Sequence, residues 1–194
     1  MFKNFLKMNA GDFSFYAAIT GGLFLLGEVV ILCVMAFLKP DTGIFLAGIV
    51  LPIVAAFSLF IMSFTNSTVM FDTALRFGRT RRQSLGLVVA LLALEGAFVM
   101  GLAGLLALAE RFLLPGLWAK LAGFEGWKLG LNMPLPEGSG PAQAALLQIE
   151  DFVLAWWWYP LLLAAALALG LSFGALIQRF GPNGAWGMWA IWMG

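Results

Sequence analysis

Long apolar runs separated by short polar segments dominate the hydropathy pattern of this chain. Each of four runs reaches or exceeds the roughly 20 residues that a helix needs to cross about 30 Å of hydrocarbon. The pattern therefore predicts four transmembrane helices, at residues 15–38, 43–64, 84–110 and 151–177. A fifth apolar run at 185–194 is too short to cross. It is either an interfacial segment or, as we expect, the start of a further helix in a chain that continues.

The composition supports the same fold class. Apolar residues make up 62 % of the chain and charged residues only 11 %, far from the balance of a soluble globular protein. We therefore expect residues 1–194 to form a single transmembrane domain, an all-α polytopic helical bundle in the plasma membrane. The single cysteine, Cys33, can form no disulfide within the chain.

Several kinds of chemistry are disfavoured by residue content. The chain has no histidine, which removes histidine-based acid–base catalysis, histidine metal ligands and nucleophile–histidine pairs. We expect no catalytic, metal-binding or cofactor-binding residues in this chain, and no nucleic-acid partner. A membrane enzyme such as a lipid-modifying transferase is accordingly a disfavoured alternative.

The distribution of Lys and Arg predicts the orientation, because basic residues in short loops are retained on the cytoplasmic side. A cytoplasmic N-terminus places seven of the eleven on the inner side: Lys3, Lys7, Arg76, Arg79, Arg81, Arg82 and Arg179. The outer side then holds the other four basic residues, and acidic residues in the same segments offset their charge. These four are Lys39, Arg111, Lys120 and Lys128. The segment 111–150 is external in this topology.

Two flanking segments have patterns typical of the membrane interface. Residues 1–13 predict an amphipathic helix with its basic side toward lipid phosphates, although a frayed tail is the alternative. The run Trp156–Tyr159 predicts an aromatic belt at the outer end of the fourth helix, with a substrate-stacking role as the less favoured interpretation.

Two carboxylates, Glu28 and Glu95, lie inside predicted transmembrane helices at similar depth. Ionisable groups at that depth are costly and usually face a bundle interior or a cavity. If these two face one another, they would share a proton. They mark either a polar point on a transport path or a proton site. The alternative is two protonated acids that are hydrogen-bonded to neighbouring helices.

Small residues recur at four-residue spacing on two predicted helices, at Ala93, Ala97 and Gly101 and at Ala166, Gly170 and Gly174. Such stripes let helices approach closely in lipid. We expect ordinary packing within one chain, with a dimer contact as the alternative.

The inner segment FDTALRFGRTRRQSL combines a basic cluster with helix signals. Asn66, Ser67 and Thr68 are all possible N-caps, and the pattern predicts a short cytoplasmic helix at 66–78 that stops at Gly78. Thr80 and Gln83 then fit a capping box, so the next helix should begin at Arg81. Arg81 and Arg82 would occupy its first turn, where the helix dipole disfavours cations and lipid headgroups could offset them.

This order of parts resembles the membrane subunits of ABC-2-type ABC transporters, in particular small bacterial permeases with a separate ATPase. In that family an interfacial helix precedes the first transmembrane helix. The loop between helices two and three carries a coupling helix, a glycine and basic residues, much like ALRFGRTRRQSL. The resemblance implies an ATPase-coupling role for nine residues: Phe71, Asp72, Leu75, Arg76, Phe77, Gly78, Arg79, Arg81 and Arg82.

The function implied is that of a transmembrane subunit of an ATP-driven exporter, coupled through the 66–83 loop and moving an amphipathic peptide or lipid-like substrate. Two copies of the chain would form the path. The sequence contains no Walker-type phosphate-binding motif, so ATP and Mg would belong to the partner ATPase. The main alternative is an ATP-independent, proton-coupled transporter that uses Glu28 and Glu95. An accessory membrane subunit is a further one.

Overall fold

The computed structural model describes residues 10–39, 42–76, 78, 80–123, 128–131, 146–151 and 153–193. Most of the predicted interfacial helix at 1–13 therefore lies outside the described residues, as does much of the external segment. Within this part of the chain there are five helices: α1 Ala10–Leu38, α2 Ala47–Arg76, α3 Arg81–Ala122, α4 Trp158–Phe180 and α5 Pro182–Met193.

Four helices, α1 to α4, are long and apolar enough to cross a membrane. Their apolar side chains remain widely exposed on the isolated chain, with Leu25 63 %, Leu26 64 % and Phe57 64 % accessible. Four long apolar helices confirm the helical part of the predicted fold class.

Helix α2 differs from the sequence prediction because it continues through Thr65 to Arg76 as one helix. The hydroxyls of Ser67 and Thr68 do not cap a new helix. They donate to carbonyls one turn back, at Phe64 (2.9 Å) and Thr65 (2.8 Å). Hydroxyl groups bonded in this way are compatible with a helix interior, so the predicted start of a separate helix at 66 is absent.

The junction between α2 and α3 follows the local signals in the sequence. Gly78 has φ 75°, a left-handed conformation that glycine adopts readily, and its N–H donates to the Leu75 carbonyl at 2.9 Å. The Thr80 and Gln83 backbone N–H groups each donate to the other's side-chain oxygen at 3.3 Å. This reciprocal pair is the predicted capping box, and α3 begins at Arg81 as expected.

Three short strands, which an all-α prediction did not include, form one sheet in the order β1-β3-β2. They are β1 Thr42–Phe45, β2 Lys128–Leu131 and β3 Leu146–Asp151. Both outer strands run parallel to β3, with Gly43 opposite Ile149 and Gly130 opposite Gln148. Because residues 146–151 form a strand, α4 begins at Trp158 and not at the predicted residue 151. Likewise α3 extends twelve residues beyond the predicted end at 110, to Ala122.

The chain divides into two units. The first comprises Met1–Tyr16, Ile53–Met100 and Trp156–Gly194. In it, α4 packs against α2 through the predicted small residues, since Ala166, Gly170 and Gly174 are its buried positions. A Cβ on Gly170 would stand 2.6 Å from the Ser63 Cβ. The close approach predicted for this stripe is thus confirmed as packing within one chain.

The contact between α2 and α4 also includes polar and aromatic groups. The Gln178 amide donates to the Ser67 carbonyl at 2.9 Å. The Phe60 and Phe173 rings meet edge to face at 5.5 Å between centroids. Hydrogen bonds of this kind supplement the backbone proximity that the glycines allow.

The second unit comprises Ala17–Pro52 and Gly101–Ala155. Its core is a cluster of buried side chains, Met35, Phe45, Trp118 and Ala119. The Phe45 and Trp118 rings lie 5.4 Å apart, and Gly43 leaves room for the indole because a Cβ there would stand 3.4 Å from it. This packing accounts for the continuation of α3 past Pro115, since Trp118 and Ala119 become fully buried.

Replacement of Gly174 by alanine should loosen the contact between α2 and α4, because the new methyl group would overlap the Ser67 side chain. We expect a loss of about 1–3 kcal/mol, the usual cost of overpacking. Gly86→Ala is the matched control, since a Cβ at Gly86 meets no atom within 4 Å. Thermal unfolding of both variants in detergent measures the difference. Equal melting temperatures would contradict the packing described for Gly174.

Candidate functional site

Glu95 is one of two predicted intramembrane acids, and it is completely buried on α3. The hydroxyl of Tyr16, which is also fully buried, donates to Glu95 Oε2 at 3.3 Å. Among the described residues no partner hydrogen-bonds to Glu95 Oε1. Asp12 lies within electrostatic range of the same carboxyl. Glu95 thus has one hydroxyl donor and one vacant acceptor position in the first unit.

Glu110, the last residue of the third predicted transmembrane helix, is a third buried acid. The structure places it inside α3 with only 2 % of its surface exposed. The Leu46 N–H donates to Glu110 Oε1 at 3.0 Å, and the Ala47 N–H donates to Oε2 at 3.0 Å. Because α2 begins at Ala47, the Glu110 side chain caps that helix from a distant part of the chain.

Glu28, the other predicted acid, lies on α1 and is 6 % exposed. Its carboxyl lies beside the Glu110 carboxyl and close to the Trp118 indole. In the described part of the chain, neither Glu28 Oε2 nor Trp118 Nε1 makes a hydrogen bond of standard geometry. The second unit therefore contains two adjacent carboxyl groups, of which Glu28 has an oxygen without a hydrogen-bond partner among the described residues.

A pairing of Glu28 with Glu95 is one of the possibilities that the sequence predicts. In the structure each acid has partners inside its own unit, Tyr16 for Glu95 and Glu110 for Glu28. The pairing of the two predicted acids stays a prediction. Glu110 was missed because the predicted helix ended at that residue, although the apolar run beyond it was a signal that the helix continues.

A cavity of about 330 Å³ adjoins Glu28 and Glu110. Its walls come from the second half of α1 and the start of α2, and they are otherwise apolar. They include Leu23, Phe24, Ile31, Val50 and Leu51. Such a volume is at the lower end of small-molecule pockets, and a few polar groups in an apolar wall are typical of them.

The predicted ATPase-coupling residues surround the end of α2 and the start of α3. Phe71 and Leu75 are half-buried, while Asp72 and Arg76 are exposed. Phe71 lines a second cavity of about 380 Å³ in the first unit, together with Arg81 and Arg82. Gly78 forms the turn described above. The remaining two predicted residues, Phe77 and Arg79, lie outside the described residues.

Within the described ranges, no three residues of the types His, Cys, Asp and Glu are placed to hold a metal ion together. Buried carboxyl groups such as these can exchange protons, form hydrogen bonds and pair with a cation.

Comparisons of the chain with protein-family models, curated proteins and solved structures find no match. A functional proposal for this chain therefore depends on its residues and their geometry.

Replacement of Glu110 by alanine should destabilise the second unit, because the buried Leu46 and Ala47 N–H groups lose their acceptor. Each buried donor left unsatisfied costs about 1–3 kcal/mol. Glu110→Gln retains one carbonyl oxygen and should cost less. Thermal unfolding of both variants in detergent tests this order of stability. An alanine variant as stable as the wild type would show that Glu110 does not cap α2.

Proposed function

We propose that this chain is an integral membrane protein with a cytoplasmic N-terminus, the transmembrane subunit of an ATP-driven ABC exporter in the plasma membrane. A separate ATPase subunit, which supplies ATP and Mg, docks against the 66–83 segment. The transported molecule is an amphipathic peptide or a lipid-like compound, in keeping with the apolar interior. Four membrane-length helices and their exposed apolar surface support the membrane assignment.

The observation that carries the proposal is the structure of the α2–α3 junction. The apolar span of α2 covers Ala47–Thr73, and the helix continues to Arg76 before the turn at Gly78 and the capped start of α3. A single stiff helix leading out of the span is suited to receive a push from an ATPase. Movement at Arg76 would be passed along α2 as a rigid-body shift.

The surface of this junction divides into two parts. Asp72 and Arg76 are exposed, so they would set the register of a docked ATPase, and the half-buried Leu75 would contact its apolar groove. Phe71 lines the second cavity together with Arg81 and Arg82, so it supports the junction from inside while its remaining exposed surface adds to the docking face. The two arginines anchor the segment to anionic headgroups.

A dimer of the chain would complete the path. The stripe formed by Ala93, Ala97 and Gly101 is exposed on α3, unlike the buried stripe on α4. A surface of small residues is where a second copy could approach closely in lipid. The exposed stripe therefore supports the dimer that this function requires.

Affinity purification of the full-length chain from its native membrane in mild detergent should recover an ATPase in stoichiometric amount. The double variant Asp72→Arg, Leu75→Glu should lose most of this ATPase, because it reverses a charge and places another in the apolar contact. Asn183→Arg is a control that adds charge at an exposed position on the same predicted side of the membrane.

Two results would contradict the coupling role. One is the absence of any ATPase from the wild-type preparation. The other is a double variant that keeps its complex and ATP turnover while remaining folded, as judged by its melting temperature.

A second candidate function, proton-coupled transport without ATP, is favoured by the buried acids. The Glu95 carboxyl accepts a hydrogen bond from the Tyr16 hydroxyl, and the Glu28 carboxyl lies beside that of Glu110. These carboxyl groups are placed to hold and exchange protons. In this case transport would follow a pH gradient and would not depend on Asp72 or Leu75.

The variants Glu28→Gln and Glu95→Gln test the proton-coupled mechanism, because an amide cannot exchange the proton. Each should shift or abolish the pH dependence of substrate uptake into proteoliposomes that carry an imposed pH gradient. Tyr16→Phe removes only the hydroxyl donor and should cause a smaller shift. Unchanged pH profiles in both glutamine variants would exclude these acids as the proton relay.

A further inference from the structure

We propose that the cavity beside Glu28 binds an amphipathic organic cation, with its ammonium group paired to the Glu28 carboxylate. The cavity, its acids and the Trp118 indole all belong to the second unit. The inference concerns ligand binding alone, so it does not rest on the ATPase coupling proposed above.

Hydrogen-bonding capacity at the cavity is unfilled. Glu28 Oε2 is buried without a hydrogen-bond partner, on a side chain that lines the cavity and is 6 % exposed. A buried polar atom without a partner costs free energy, and buried carboxylates are normally paired. Because the terminal torsion of a glutamate is broad, a small rotation of the carboxyl would bring Oε2 to a donor that enters the cavity.

The two acids, Glu28 and Glu110, have different roles. Both oxygens of Glu110 accept N–H bonds from the start of α2, and carboxylates are stabilised at a helix N-terminus. Two carboxyl groups side by side in an otherwise apolar surrounding do not both ionise, so the pair holds one proton between them. The shared proton therefore belongs on Glu28, and Glu28 is the group that can exchange it for a cation.

The shape and polarity of the cavity favour a ligand with one charged group. Glu28 and Glu110 are the only titratable side chains among its described lining residues. Side chains at its rim, including Leu23, Leu26 and Val50, are exposed and apolar. A ligand that fits has an apolar body and a single positive head, and a monovalent ammonium is favoured over a metal ion because only two carboxyls are present.

Binding would then release one proton. The ammonium replaces the proton that Glu28 holds, the proton leaves to water, and the net charge of the site is unchanged. Because one proton competes with one cation, the apparent Kd should fall about tenfold for each unit of rising pH within the range of exchange.

The test uses the full chain in phosphatidylcholine nanodiscs and three probes of equal length: octylammonium, octanol and octanoate. Binding is measured at several pH values and corrected with empty nanodiscs. We expect saturable octylammonium binding that tightens with rising pH, and at least tenfold weaker binding of the neutral and anionic probes.

Two variants locate the site. Glu28→Gln removes the charge and should abolish saturable binding. Gly27→Leu should also abolish it by filling the cavity, and it should fold normally because a Cβ at Gly27 meets no atom within 4 Å. Val29→Ala alters the neighbouring exposed side chain, which does not line the cavity, and should bind like the wild type.

Other results would overturn the proposal. Equal binding of octanol would show an apolar crevice without charge selection. Octylammonium binding that survives Gly27→Leu would place it elsewhere, and the absence of saturable binding by the wild type at every pH would rule out the site. The ATPase proposal is tested independently: Glu28→Gln should lose octylammonium binding while its ATPase complex stays intact.

Discussion

The second unit depends on the hydrogen bonds that the Glu110 carboxylate accepts. This carboxylate accepts the N–H groups of Leu46 and Ala47, which open α2 and have no intrahelical acceptor. A buried helix start without such a partner would be costly, so this one side chain fixes where α2 begins relative to α3. Strand β1, which ends at Phe45 immediately before this contact, is held in place with it.

A second carboxyl group lies beside that cap and is available for chemistry. Glu28 lies close to Glu110 and the Trp118 indole, in an otherwise apolar surrounding. One acid serves the backbone while its neighbour keeps an oxygen without a partner. An arrangement in which structure occupies one carboxyl and leaves the other available is well suited to proton or cation exchange.

In the first unit, close backbone contact replaces charge as the organising constraint. Gly170 and Gly174 let α4 approach Ser63 and Ser67 of α2, and the Gln178 amide adds a hydrogen bond. Packing of this kind is effective in lipid, where apolar burial drives helix association weakly. It holds α2 firmly near the segment that the proposed ATPase would push, which is a requirement for mechanical coupling.

Local features of this protein were determined by the sequence alone. The four long apolar helices, the turn at Gly78 and the cap formed by Thr80 and Gln83 were predictable, because each depends on residues a few positions apart or on simple length. The tertiary structure decided the partners of the buried acids: Tyr16 bonds Glu95 across 79 residues, and Glu110 bonds Ala47 across 63. The small parallel sheet was equally unpredictable, because its short strands are paired by distant backbone and carry no periodic signal. Contacts at such separations depend on how helices pack, which hydropathy and local caps do not encode.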